Sequence, residues 1–188
     1  MHGPALSGWL MVALCAATGA YCLLRMRACA GEERRAAGGE ALMGFGMASM
    51  ALPAAVLTPP GWSWAVYAAV FGGAALRGLL TIRRGGHHAH HFVGSLAMVY
   101  MAVAMAAPAA GAHAGHAVGT AGGVPLVTGG LLLYYMAYVL HAGARLVPVA
   151  AATTGGLVPG AAWATRPELA LVCRLSMALA MLAMLVAL

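Results

Sequence analysis

Residues 169–188 read LALVCRLSMALAMLAMLVAL, twenty residues interrupted by a single charge, Arg174. Crossing the hydrocarbon of a bilayer takes about 20 residues of helix at roughly 1.5 Å per residue. This stretch therefore reads as a membrane span, and the pattern recurs upstream. Six segments qualify: Leu6–Leu24, Ala41–Leu57, Trp62–Ile82, Phe92–Ala110, Val124–Leu146 and Leu169–Leu188. Breakers separate them: Gly38-Gly39, Pro59-Pro60-Gly61, Arg83 to Gly86, the Gly- and His-containing stretch Gly111–Gly123, and Thr153–Pro167. The second segment is the shortest and holds Pro53, which predicts a kink or a tilt. The expected fold is all-α, an integral membrane bundle of about six transmembrane helices forming one domain over residues 1–188.

Composition supports this reading by what it lacks. The sequence contains no Lys, Asp, Asn or Gln, and all ten basic residues are Arg. Hydrophobic residues make up 63% and charged residues 7%, where an ordinary soluble domain is about a quarter charged. A net charge of +6 invites a nucleic-acid reading, but the arginines bracket apolar stretches and form no patch interleaved with aromatics. No nucleic-acid partner is expected. Enzyme chemistry is not expected either. Without Asp there is no Ser-His-Asp triad, without Lys no G-x-x-x-x-G-K phosphate loop, and the zinc-protease H-E-x-x-H is missing.

The arginines instead act as topology signals. Loop one carries Arg25, Arg27, Arg34 and Arg35, loop three Arg83 and Arg84, and loop five Arg145 and Arg166, while loops two and four carry none. By the positive-inside rule the odd loops are cytoplasmic and both termini extracytoplasmic. Ala- and Arg-rich, Lys-free usage points to a bacterial cell membrane. No Arg or Lys precedes the first apolar run, so a cleaved signal peptide is not expected there. A row of small residues, Ala65, Ala69 and Gly73, marks the third helix as one that neighbours approach closely.

A repeated spacing runs through the even-numbered helices. The second reads Glu40-x2-Met43-x3-Met47-x2-Met50, and the sixth reads Arg174-x2-Met177-x3-Met181-x2-Met184. The fourth reads His91-x2-Gly94-x3-Met98-x2-Met101, with Gly in place of the first Met. At about 100° per residue, four such positions fall within roughly an 80° arc of one helix face. The chain thus reads as three helical hairpins with Met-lined even helices. If the repeats are equivalent, Glu40 and Arg174 lie at one depth and pair, which accounts for an Arg inside an apolar helix. The fifth helix places Tyr134, Tyr138, His141 and Arg145 on one face, and the first places Cys15, Cys22 and Cys29 at heptad spacing.

Thioether and thiol sulfur favour Cu(I), and imidazole also binds copper. A Cu(I) path would use Met43, Met47, Met50, Met98, Met101, Met177, Met181 and Met184 as soft ligands, with Glu40, His91 and His141 as its cytoplasmic gate. Against this, Met fills irregular gaps in any apolar interior, and Cys packs there as a small apolar residue. The cluster His87, His88, His90 and His91 can chelate a metal one turn apart or can simply continue a basic interfacial loop. His113 and His116, three residues apart among small residues in an outer loop, can bind a metal weakly but read better as surface decoration. His91 and His141 on facing helices also have the residue type for haem ligation.

The stretches His90–Met101 (HHFVGSLAMVYM) and Glu40–Met47 (EALMGFGM) resemble an actinobacterial family of small multi-pass proteins, domain of unknown function 5134. The resemblance extends over most of the chain, from the first helix to the last, and departs from the family pattern at Gly94. It implies a membrane protein and supplies no activity. Three readings stay open: a Cu(I)-handling protein for transport, storage or delivery; a structural or accessory subunit without a metal; and a haem-binding redox subunit. Lipid is the expected surroundings, with a homo-oligomer or a membrane complex as the partner.

Overall fold

The computed structural model of the protein describes residues 3–53, 56, 60–81, 86–106, 123–153 and 166–188. Among the described residues are six helices: α1 (Gly3–Ala28), α2 (Gly31–Met50), α3 (Ser63–Thr81), α4 (Gly86–Ala106), α5 (Pro125–Thr153) and α6 (Pro167–Val186). No strand occurs among the described residues. Proline opens both α5 and α6, where its missing N–H costs nothing and its fixed φ suits the first turn. Arg25 and Arg27 sit in the last turn of α1, opposite in sign to the partial charge of a helix C-terminus.

Among the described residues five helices are long and apolar enough to cross a membrane: Leu6–Ala28, Ser63–Leu80, Ala89–Ala106, Pro125–Leu146 and Glu168–Val186. Their outward faces are apolar, with Leu126 86% and Leu80 74% exposed. Such large aliphatic surfaces suit hydrocarbon and not water. The chain is an all-helical membrane protein.

The second segment differs from the expectation of a span over Ala41–Leu57. The helix ends at Met50, because Pro53 cannot donate to the ladder and its ring clashes one turn back. At its other end it reaches back through Gly38-Gly39, read from sequence as a break, to Gly31. Half of α2 is therefore the charged run before Glu40, which explains why it fails the apolar test that the other five pass. The break between α1 and α2 lies instead at Gly31, which adopts φ +61°. That left-handed conformation costs an L-residue roughly 1–2 kcal/mol. A Cβ there would meet nothing within 4 Å. Gly31→Ala should therefore destabilise the protein by roughly 1 kcal/mol through the backbone alone. Gly31→Asn should cost less, and equal melting of the two variants in detergent would disprove this.

By Cα proximity the chain divides into two compact units: unit one is Met1–Pro53 with Leu133–Ala183, and unit two is Ala54–Leu132 with Met184–Leu188. In unit one, α1 and α2 form an antiparallel hairpin. Gly8 faces Pro53, Gly19 faces Ala41 and Phe45, and Gly38 faces Met26. The closest approach is at Gly44, where a Cβ would fall 2.9 Å from the N and Cα of Gly19. Helix α6 joins them through Thr18 Oγ1 and Ser176 Oγ, 3.4 Å apart. One turn further along α1 and two residues back on α6, Cys22 and Arg174 both reach the Glu40 carboxylate. These two pairings make α6 antiparallel to α1, hence parallel to α2.

In unit two, α3 and α4 pack as a pair, with Gly78 of α3 admitting Phe92 of α4. Phe71 and Ala75 are buried on α3, and Ala97, Met98, Met101 and Ala102 on α4. The Tyr100 hydroxyl lies 2.6 Å from Thr128 Oγ1, tying α4 to the start of α5. The small-residue row expected to draw neighbours onto α3 behaves differently. Ala65, Ala69 and Gly73 are exposed, and among the described residues the close backbone approach lies between α1 and α2.

Candidate functional site

Glu40 lies in the middle of α2, on the face that also buries Ala37, Ala41, Met43, Gly44 and Met47. Its side chain is 1% exposed. A carboxylate in that position is tolerated only if countercharge and hydrogen bonds replace its lost hydration. Arg174 Nε of α6 donates to Oε1 at 2.6 Å. Arg25 Nη1 of α1 donates to Oε2 at 3.5 Å, and the Cys22 thiol donates to the same oxygen at 3.6 Å. The pairing of Glu40 with Arg174 inferred from the Met spacing is therefore present. Tyr138 of α5 lies within electrostatic range of both partners.

Three members of this cluster were not assigned to it from sequence: Arg25, Cys22 and Cys173. Arg25 read as a topology signal, yet its guanidinium turns inward and its Nε is buried without a hydrogen-bond partner. Cys22 is fully buried and donates to Glu40 Oε2, with Cys173 within electrostatic range of it. The signal was there in part. Cys22 and Arg25 stand three residues apart on α1, and Cys173 adjoins Arg174. Three residues on a helix share a face, but nothing in the spacing says that the α1 face meets α6.

The proposed sulfur ladder is sorted by depth. Met43, Met47, Met98, Met101, Met177 and Met181 are all buried, between 0% and 7% exposed. Met50 and Met184 are half-buried. The off-ladder Met105 and Met136 are 57% and 50% exposed. Glu40, Met43, Met47, Met50, His141, Met177 and Met181 belong to unit one, and His91, Met98, Met101 and Met184 to unit two. The thiols Cys15 and Cys22 of unit one are buried as well. His91 is half-buried on α4, where its carbonyl accepts the Ser95 hydroxyl at 2.8 Å. The His90 and His91 rings stand 6.3 Å apart. His141 is exposed. Among the described residues no three His, Cys, Asp or Glu side chains gather as a metal-holding group. The side chains of His87 and His88, and all of His113 and His116, lie outside the described residues.

No curated protein and no solved structure matches the chain. A family model, the domain of unknown function DUF5134, matches residues 32–188. The match begins in the first turn of α2, so α1, which supplies Arg25 and Cys22 to the cluster, precedes it. With the rest of the chain covered, through the end of α6, the protein belongs to the DUF5134 family.

Proposed function

We propose that this protein handles Cu(I) in a bacterial cell membrane, by transport, storage or delivery, and that it is not an enzyme. One observation carries the reading: six of the eight Met of the repeated spacing are buried, whereas among the described Met outside it Met11 and Met26 are half-buried and Met105 and Met136 exposed. If Met served only as general apolar filler, no such separation would be required. Buried thioethers together with the thiols of Cys15 and Cys22 form a soft donor set, which suits Cu(I) better than any harder divalent ion. The ladders of Met43, Met47, Met177 and Met181 rise from the Glu40–Arg174 pair. Under the positive-inside assignment that pair lies at the cytoplasmic end, with both termini extracytoplasmic. Met50 and Met184 continue the ladders outward. Met98 and Met101 repeat the motif in unit two. His91 and His141 are imidazoles suited to receive or release the ion near the cytoplasmic face. Lipid surrounds the helices, and a second copy or a membrane complex is the natural partner of a chain this small.

The test is metal analysis of the detergent-purified protein grown with copper and kept reduced, beside a variant with Met43, Met47, Met177 and Met181 all changed to Leu. Stoichiometric copper in the wild type and its loss in the variant are expected. Each swap conserves volume and should cost less than about 1.5 kcal/mol, so the variant should still fold. Copper retained by the variant, or absent from both samples, would refute the role of the ladders.

A structural reading has its own support. Both oxygens of Glu40 are engaged by side chains from α1 and α6, which makes the cluster an effective clamp whether or not a metal is present. An accessory subunit would leave the purified protein free of metal and unaffected by the Leu exchanges. Haem would show itself as colour.

A further inference from the structure

We infer that Arg25 and Arg174 bind the phosphodiester headgroup of an anionic phospholipid at the cytoplasmic end of unit one. The clamp around Glu40 joins two cations to one anion, so its three charges leave an excess of one positive charge. At membrane depth a charge is retained only where a counter-ion answers it, and one carboxylate does not answer two guanidiniums. Glu40 is buried, while both arginine side chains keep partial exposure. A ligand arriving at the cluster therefore meets positive charge first, with the carboxylate behind it.

Donors are present as well as charge. A guanidinium carries five N–H donors in a planar fork that matches two phosphate oxygens. Among the described residues Arg174 makes one hydrogen bond, from Nε to Oε1, and Arg25 makes one, from Nη1 to Oε2. The Arg25 contact is long at 3.5 Å, and its Nε is buried with no hydrogen-bond partner among the described residues. Buried N–H groups are nearly always matched by an acceptor, and an ionised oxygen is the strongest one. A phosphate oxygen drawn in between α1 and α6 supplies that acceptor.

Depth selects a lipid over a soluble anion. Arg25 stands one turn from the end of α1 at Ala28, and Arg27 is exposed beside it. The positive-inside assignment puts this end at the cytoplasmic leaflet, where basic pockets between helices attract anionic headgroups. Helices α1 and α6, which carry the two arginines, also expose Leu23, Leu24, Leu169 and Val172, apolar surface of the kind that acyl chains cover. Net charge then selects among lipids. A phosphatidylglycerol brings one negative charge and cancels the excess, whereas a phosphatidylcholine, with its own cation, leaves it standing. Unit one has seven arginines against four glutamates, so its own side chains do not neutralise it. The inference does not rest on copper binding.

The experiment titrates the delipidated, chelator-treated full chain in detergent with dioleoylphosphatidylglycerol, dioleoylphosphatidylcholine and inorganic phosphate. Native mass spectrometry reads the binding, and the shift in melting temperature over each lipid-free sample reads it a second time. One phosphatidylglycerol per chain should bind, roughly tenfold tighter than phosphatidylcholine, and inorganic phosphate should not displace it. R25A should weaken phosphatidylglycerol by about tenfold, the scale of one hydrogen bond between charged groups. R25K keeps the charge without the fork and should fall between wild type and R25A. The double variant R34A/R35A removes two exposed, solvent-screened arginines at the start of α2 and should change binding by less than about threefold. Equal binding of the two lipids by the wild type would overturn the inference, and that comparison needs no variant to fold. So would displacement of phosphatidylglycerol by inorganic phosphate, the mark of a soluble-anion site. A loss in R34A/R35A as large as in R25A would overturn it too, by assigning the binding to loose charge at the rim.

Discussion

Glu40→Ala should destabilise unit one by about 3–5 kcal/mol, because it leaves guanidiniums buried with no anion to face. The carboxylate is 1% exposed, and the side chains of Arg174 and Arg25 are 22% and 12% exposed, so solvent offers them little relief. Arg174→Ala should cost less, since Arg25 remains to hold the carboxylate. Arg25→Ala should cost least of the three, as its contact is 3.5 Å against 2.6 Å for Arg174. The double variant E40A/R174A should be milder than the sum of its parts, the signature of direct coupling. A full charge exchange, E40R/R174E, should recover only in part, because the new arginine would stand against Arg25. Equilibrium unfolding in mixed detergent micelles measures all five. The pairing would lose its energetic meaning if E40A proved no worse than R25A.

Gly44→Ala should be the second most damaging change, although alanine is the better helix former in isolation. Its Cβ would lie 2.9 Å from the Gly19 N and Cα and 3.1 Å from the Cys15 carbonyl oxygen. These are backbone atoms and cannot swing aside, so the two helices must separate. Overpacking of this kind costs about 1–3 kcal/mol, and Gly44→Leu should cost more. The same substitution at Gly73 or Gly129, where a Cβ meets nothing within 4 Å, should be neutral or slightly stabilising. Comparable melting of G44A and G73A would contradict the close α1–α2 approach. Small residues at a membrane helix contact do here what hydrophobic burial does in water: they let backbones come near enough for dispersion to count.

The number and placement of helices were legible because apolar runs of span length are a strong signal and arginines mark their ends. The pairing of Glu40 with Arg174 was legible through spacing alone, since equal Met intervals put the two heads at one register. Where α2 begins and ends was not. Its charged first turns, Glu32 to Arg35, hid a helix that hydropathy assigns to a loop, and the break sits at Gly31, where Gly38-Gly39 had seemed the stronger candidate. Arg25 and Cys22 escaped because their importance depends on which neighbour α1 faces, and a single helix pattern does not carry that information. The row Ala65, Ala69 and Gly73 misled for the same reason: small residues permit an approach without choosing its partner.

The order of synthesis gives the Glu40 cluster a history. Arg174 follows Glu40 by 134 residues, whereas Cys22 and Arg25 precede it by 18 and 15. At roughly 5–20 residues per second, the acid waits on the order of 10 s for its stronger partner while the intervening helices are made. During that interval only the α1 side can shield it, so the weaker contact comes first and escorts the carboxylate into the lipid. Arrival of the last helix then seals the assembly. A nascent chain stalled before residue 166 therefore has Arg25 as the only guanidinium of the clamp yet made, and one oxygen of Glu40 still lacks the arginine that engages it in the finished protein.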